Sequence, residues 1–390
     1  MRYGPDLSFL HFSPTRVVFG AKSIGELASE VDALGVTRVA IVTDAVLASR
    51  TDLVERAKKA LGRRLVGVYA DVEPDSSVAI VDRGAAHLTE WRAEAIVSIG
   101  GGSSIDTAKA MAIVHTEGGS LRDHQGFQGL SRPTTPHIAI PTTAGTGSEV
   151  TKAAIIRDEV ARQKMIFGDN HIYPRVAILD PELTVGMPGA ITAGTGLDAL
   201  THAFEALHAM QAEPVADALA LHAIRLVARH LPTALASPGD LVARGQMLLA
   251  STMAGFAFDN AAVGLVHAIA HSVGARHHVH HGTANAIALP HVLRFNADVA
   301  AAAEAYREGG VAMGVVTDGL SDLAAVDRVA RAITALVLAC GLPTRLRDVN
   351  VKESDLPDLA EITLFDGCIV YNPKPVTDAA EVMTVLRAAY

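Results

Sequence analysis

Between Arg38 and residue 186 short β-branched runs alternate with helical stretches, and after Met187-Pro188 the runs stop and long Ala/Leu-rich segments take over. Alternation of that kind builds parallel βαβ units, because a crossover helix must return the chain to the same end of the sheet. The strand candidates are Val39 to Val42, Leu65 to Tyr69, Ala95 to Ile99, His137 to Ile140 and Val176 to Leu179, with a further strand expected from Phe12 to Phe19. Several of these end directly on Gly, Thr or Asp, and ligands of open α/β sheets sit beyond the carboxyl ends of the strands. The expected architecture is an α/β domain with a parallel sheet over residues 1–187, followed by an all-α domain over 188–390. A chain of 390 residues is long enough for two cores, and the active site is expected in the cleft they share.

The bulk chemistry narrows the partners. A net charge of −9 with no compensating Lys/Arg tract offers no footprint for nucleic acid or an anionic membrane. No run reaches the roughly eighteen uninterrupted apolar residues of a membrane span, and the start lacks a signal peptide's apolar segment, so a cytoplasmic protein with small-molecule partners is expected. Cys340 and Cys368 stand alone, which argues against a disulfide framework or a thiolate metal site and for buried, unreactive thiols.

Two loops carry the nucleotide chemistry. Ile96-Val97-Ser98-Ile99 runs into Gly100-Gly101-Gly102-Ser103-Ser104, a strand, a glycine turn and a helix start. Glycines let the backbone approach a pyrophosphate, and the free N–H groups of a helix N-terminus favour its charge. A purely structural turn uses the same residues. Pro141-Thr142-Thr143-Ala144-Gly145-Thr146-Gly147-Ser148-Glu149 also follows a strand, and two such loops on one sheet suit a dinucleotide. Asp44, after the strand from Val39 to Val42, can accept from a ribose and repel a 2′-phosphate, which selects NAD over NADP; equally, it can be the N-cap of the helix after Ala45. The usual Gly-rich fingerprint after the first strand is absent, so the arrangement differs from the common dinucleotide fold.

The helical half carries metal chemistry. Asp198 and His202 lie at i and i+4 on one helix face, His267 and His271 repeat that spacing, and His280-His281-Gly282 follows. In all, His267, His271, His277, His278, His280 and His281 crowd into fifteen positions. Carboxylate plus imidazoles without thiolate suits Fe(II) or Zn(II), with a coordination position open to a substrate oxygen. A helix-surface Asp/His hydrogen bond and a solvated loop for His277, His278 and His280 account for the same residues.

These segments, in this order, resemble the iron-containing alcohol dehydrogenases, a family that includes lactaldehyde reductases and butanol dehydrogenases. The resemblance runs from Pro14-Thr15-Arg16-Val17-Val18-Phe19-Gly20 to Asn372-Pro373-Lys374, where the family usually shows Asn-Pro-Arg. It implies the dehydroquinate synthase-like fold of that family. It further implies a metal bound by Asp198, His202, His267 and His281, with His271 as an additional active-site histidine. Asp44, Asp75, Gly101, Gly102, Ser103, Thr142, Thr143, Thr146 and Lys164 fall on its cofactor positions. Ala153 and Ala154 stand where many members carry a bulky or amide side chain beside the nicotinamide, so a roomier pocket is implied, with Phe258 lining it. His280 replaces a common proline, and Leu207 a frequent aromatic. The implied activity is hydride transfer between an alcohol on the metal and NAD, or the reverse reduction of an aldehyde, with His271 as first candidate for the proton relay, in a homodimer. Rival readings are a maleylacetate reductase, a 4-hydroxybutyrate transhydrogenase, a dehydroquinate synthase-like lyase that uses NAD transiently, and a binding protein without catalysis.

Overall fold

The computed structural model describes residues 3–4, 6–161 and 163–390. The chain forms two compact units, one of residues 13–186 and one in which the described residues up to Phe12 join 187–390.

The first unit opens with β1 (Arg16–Phe19), α1 (Leu27–Leu34), β2 (Val39–Asp44), α2 (Ala45–Arg50), α3 (Leu53–Leu61), β3 (Leu65–Val72) and α4 (Val78–Glu90). It continues with β4 (Ala95–Gly100), α5 (Gly102–Glu117), β5 (Gly126–Phe127), β6 (His137–Pro141), β7 (Ala153–Asp158), β8 (Gln163–Gly168) and β9 (Val176–Leu179). Six strands form a parallel sheet in the order β1-β9-β6-β4-β2-β3. All five strand candidates from Val39 to Leu179 are present. The reason they stood out is that β4, β6 and β9 are buried at every position, so both faces had to be apolar.

Successive residues of β2 enter opposite cores. Ala40 and Val42 pack with Val81, Ala85 and Leu88 of α4 and Ala108 and Met111 of α5. Val39 and Ile41 pack with Leu27 and Val31 of α1 and Val54, Ala57 and Leu61 of α3. The strand expected over residues 12–19 pairs only from Arg16 to Phe19, while Phe12 N–H instead donates to Asn260 Oδ1 at 2.8 Å in the helical unit. A second sheet, β5-β8-β7, was not expected; in its β7-β8 hairpin the apolar runs Ala153 to Ile156 and Met165 to Phe167 adjoin the charged Arg157, Asp158 and Lys164.

The second unit is helical: α6 (Gly189–His208), α7 (Pro214–Ala236), α8 (Leu241–Ala261), α9 (Leu265–His277) and α10 (His281–Phe295), then α11 (Ala300–Ala312), α12 (Asp322–Ala339), α13 (Leu356–Leu364) and α14 (Ala379–Ala389). No strand occurs there among the described residues. The helix α8 has the length and composition to cross a membrane, but most of it is buried inside the protein, and its Arg244 donates to Thr192 Oγ1 at 2.9 Å and to the Pro238 carbonyl at 2.9 Å.

Candidate metal centre and nucleotide loops

In the sheet unit, β2, β4 and β6 are parallel neighbours, so Asp44, the glycine turn and the Pro141-Thr142-Thr143 loop all emerge at one edge. That edge contains the switch of strand order at which ligands of open α/β sheets bind, because β3 and β4 lie on opposite sides of β2. Gly100 adopts φ +153°, and a Cβ there would sit 2.2 Å from Ser104 Oγ, so glycine is required where β4 turns into α5. A Cβ at Gly101 would meet Thr143 Cγ2 at 3.2 Å, and one at Gly102 would meet Thr146 Cγ2 at 2.8 Å. The two loops therefore touch through their smallest and most polar residues. The N-terminus of α5 has no side-chain cap, which leaves its first amides available to an anion.

The other expected cofactor residues gather at the same turn. Thr142 N–H donates to the Gly100 carbonyl at 2.9 Å. Asp75, at φ +53°, donates its N–H to Ser103 Oγ at 3.3 Å and receives Lys164 Nζ on Oδ1 at 3.1 Å. Asp44 is the N-cap of α2: its Oδ1 accepts from Val46 and Leu47 N–H, both at 2.9 Å, so only Oδ2 is left for a ribose. A residue without an expected role also matters. Lys109, fully buried, donates to Thr151 Oγ1 at 3.1 Å and the Ala153 carbonyl at 2.7 Å, fixing the start of β7, where Ala153 is half-buried and Ala154 buried. Its signal in the sequence was a lysine inside an apolar helix run.

In the helical unit, Asp198 of α6, His267 of α9 and His281 of α10 converge, with one ligand atom from each lying within 4.8 Å of the others. Asp198 Oδ1 is 4.0 Å from His267 Nε2 and 3.6 Å from His281 Nε2. The approach depends on small residues, since a Cβ at Gly282 would sit 2.0 Å from the Gly194 carbonyl oxygen, and one at Gly194 would sit 2.7 Å from the His280 ring. Glycine at both positions lets the first turn of α10 rest on the backbone of α6 and delivers His281 to Asp198. His202 does not enter that triple. Its ring stacks on His267 at 4.6 Å and on Phe258 at 4.3 Å, and its Nδ1 lies 4.0 Å from Asp198 Oδ2.

Two observations test whether a cation fits. His202 Nδ1 is buried with no hydrogen-bond partner among the described residues. The amide nitrogen of Asn285 faces three acceptors, Asp198 Oδ1 at 2.7 Å, His281 Nε2 at 3.2 Å and His267 Nε2 at 3.3 Å, although it carries only two protons. Acceptors in excess of donors in a buried site are what a divalent cation satisfies, and oxygen and nitrogen donors suit Fe(II) or Zn(II). Burial, together with the neighbouring His202 and His271, holds His267 well below the usual histidine range, so its imidazole is neutral. Burial pushes Asp198 up, against the pull of His202 and the Asn285 hydrogen bond.

His271 lies beside this group, its ring stacked on His281 at 5.4 Å. Its Nδ1 meets Asp366 Oδ2 at 2.8 Å, and Asp366 Oδ1 accepts from Cys368 N–H at 2.9 Å. Burial pushes Asp366 up, but the hydrogen bond and charge of His271 outweigh it and hold the carboxyl well below its usual range. Cys368, isolated in the sequence, thus shares a cluster with His271 and Asp366; burial and Asp366 push its thiol well up, while burial pushes the Cys340 thiol up to about 11. Neither Asp366 nor Asn285 had been expected in the site, although Asn285 falls four residues after His281, one helical turn on.

The family model for iron-containing alcohol dehydrogenase matches residues 14–181, and the model for the C-terminal part of the Fe-containing alcohol dehydrogenase family matches residues 192–390. The chain is 39% identical over 375 residues to the NAD-dependent methanol dehydrogenase of Bacillus methanolicus, covering 95% of this chain and 98% of that one. It is 39% identical over 367 residues to the lactaldehyde reductase of Escherichia coli K12, covering 92% and 94%. A crystal structure of a 1,3-propanediol oxidoreductase superposes with a TM-score of 0.94 at 37% identity, covering 98% of this chain and all of that one.

Proposed function

The chain belongs to the iron-containing alcohol dehydrogenase family, and with that as premise we propose that it interconverts small alcohols and aldehydes using NAD(H), with Asp198, His202, His267 and His281 as ligands of a divalent metal. The observation that carries this reading is the meeting of Asp198, His267 and His281 around one amide nitrogen, with the unpartnered His202 Nδ1 beside them. A divalent metal held there supplies Lewis acidity, acidifying an alcohol hydroxyl in one direction and polarising a carbonyl in the other.

The chain's own groups do the rest. Oxidation of an alcohol gives up a hydride to NAD and a proton to a base. His271 is the candidate base: Asp366 engages its Nδ1, which leaves Nε2 to take and release the proton. Phe258, stacked on His202, offers an apolar wall to the substrate chain, and Ala153 keeps the start of β7 small. The amides of Gly101, Gly102 and Ser103 at the start of α5 bind the pyrophosphate, with Thr142, Thr143 and Thr146 alongside and Lys164, paired to Asp75, as a ribose or phosphate contact. Asp44 Oδ2 favours NAD over NADP by repelling a 2′-phosphate. The same reading takes Fe(II) as the resident metal, with Zn(II) as the alternative, in a cytoplasmic homodimer.

The test follows nicotinamide absorbance with anaerobically Fe(II)-loaded and Zn(II)-loaded protein against short alcohols, diols, hydroxyacids and their aldehydes. Net NADH formation or consumption is expected, faster than with NADP(H). Bound NAD with no net redox change across the panel would overturn the proposal.

A further inference from the structure

The N-cap of α9 is Gly264, a residue with no side chain to satisfy the helix's first amides. Glu205 does this from a different helix. It lies on α6, three residues after His202, and is fully buried. Its Oε1 accepts from Gly264 N–H at 3.1 Å and from Val266 N–H at 2.8 Å, and its Oε2 meets Nδ1 of His267. One carboxylate therefore caps α9 and engages the first histidine on it.

We propose that Glu205 is a positioning residue that locks His267 in the Nδ1–H tautomer and so presents the Nε2 lone pair to the metal; this rests on the reading of Asp198, His202, His267 and His281 as the metal site. A ligating Nε2 carries no proton, so the single proton of His267 sits on Nδ1, where Glu205 Oε2 is placed to accept it. The two backbone amides make the choice of oxygen one-sided, because they occupy Oε1 and leave Oε2 to the ring. A histidine whose distal nitrogen is held in this manner is fixed in rotation as well as in tautomer. The carboxylate is in turn backed by buried polar groups. His208 Nε2 lies 3.9 Å from Oε1, His208 Nδ1 meets Tyr306 Oη at 2.9 Å, and Tyr306 Oη accepts from Asn296 at 3.1 Å. Asn296 and Asn372 exchange two side-chain amide bonds at 3.0 and 2.9 Å. The Asn372-Pro373-Lys374 motif thereby acquires a part: it anchors the far end of the chain of contacts that steadies His267.

Glu205→Gln separates this role from packing, because it keeps the shape and changes one acceptor into a donor. With the amide oxygen still serving Gly264 and Val266, the NH2 group faces His267 Nδ1 and forces the proton onto Nε2, the tautomer that cannot bind a metal. Chelator-stripped protein titrated with Co(II) should show affinity reduced about 10- to 100-fold in the variant, with an altered visible ligand-field spectrum and unchanged NAD binding. Wild-type affinity and spectrum in Glu205→Gln would overturn the proposal. Asp198→Ala in the same titration separates the two ideas: unchanged Co(II) binding there sinks the metal-site reading itself. Should Glu205→Gln fail to fold, nitrogen-15 NMR of metal-free wild-type protein decides, with a protonated Nδ1 expected on His267 and a protonated Nε2 refuting the claim.

Discussion

Replacing Gly282 by alanine tests the contact that brings the proposed metal ligands together. The added Cβ would sit 2.0 Å from the Gly194 carbonyl oxygen and 2.6 Å from its carbon, where ordinary contact starts at 3.4 Å. Both offending atoms are backbone in the middle of α6, so no side chain can swing away. The first turn of α10 must retreat by about an ångström, carrying His281 and Asn285 with it. Overpacking of this kind costs about 2 kcal/mol, which lowers the melting temperature of a unit this size by about 4–8 °C. The site should suffer more, since a displacement of about 1 Å costs roughly 10²-fold in turnover. Calorimetry of the metal-free protein and NADH assays of the loaded protein measure the two effects separately. A Gly282→Ala protein that melts with the wild type and keeps its metal and rate would refute the packing argument.

Asp366→Asn should leave metal content intact while turnover falls about 10²-fold, because it disturbs the partner of His271 and not a ligand; parallel loss of metal would contradict the relay assignment. Asp44→Ala removes two capping bonds and should cost about 1 kcal/mol in unfolding free energy. It should also raise the ratio of NADP to NAD efficiency in steady-state kinetics, and an unchanged ratio would reduce Asp44 to a cap. His137, buried against Ser98 Oγ at 2.7 Å, has its pKa lowered to about 3 by burial and by the charge of Lys109. The unfolded chain protonates near 6.5, so stability should fall as pH drops from about 6.5 toward 3, at up to roughly 1.4 kcal/mol per unit. Melting curves of His137→Gln should show a shallower decline across that window; an equal slope would argue that other groups set it.

How much of this was legible in the sequence depended on whether a residue's partner was local. The buried parallel strands could be read because burial on both faces forces apolar runs, as in β4 and β6. The β7-β8 hairpin could not, since its stability comes from pairing with a strand whose charged residues, Lys164 among them, mask the pattern. Asp44 offered two local roles, and only coordinates show Oδ1 committed to the cap. Asp198 and His202 were visible through helical spacing. Glu205 and Asp366 were not, because each meets its histidine through a contact between elements; Asn285 meets His281 within α10, but its contacts to Asp198 and His267 come from other elements and leave no periodic trace.

The assignment of the metal centre is tested most directly by comparing wild type with Asp198→Ala for bound metal, by elemental analysis, and for NADH turnover on the same samples. A stoichiometric divalent ion and turnover are expected in the wild type, and loss of both in the variant with NAD binding retained. A variant that keeps its metal and its rate would contradict the assignment of Asp198, His202, His267 and His281 as the metal centre.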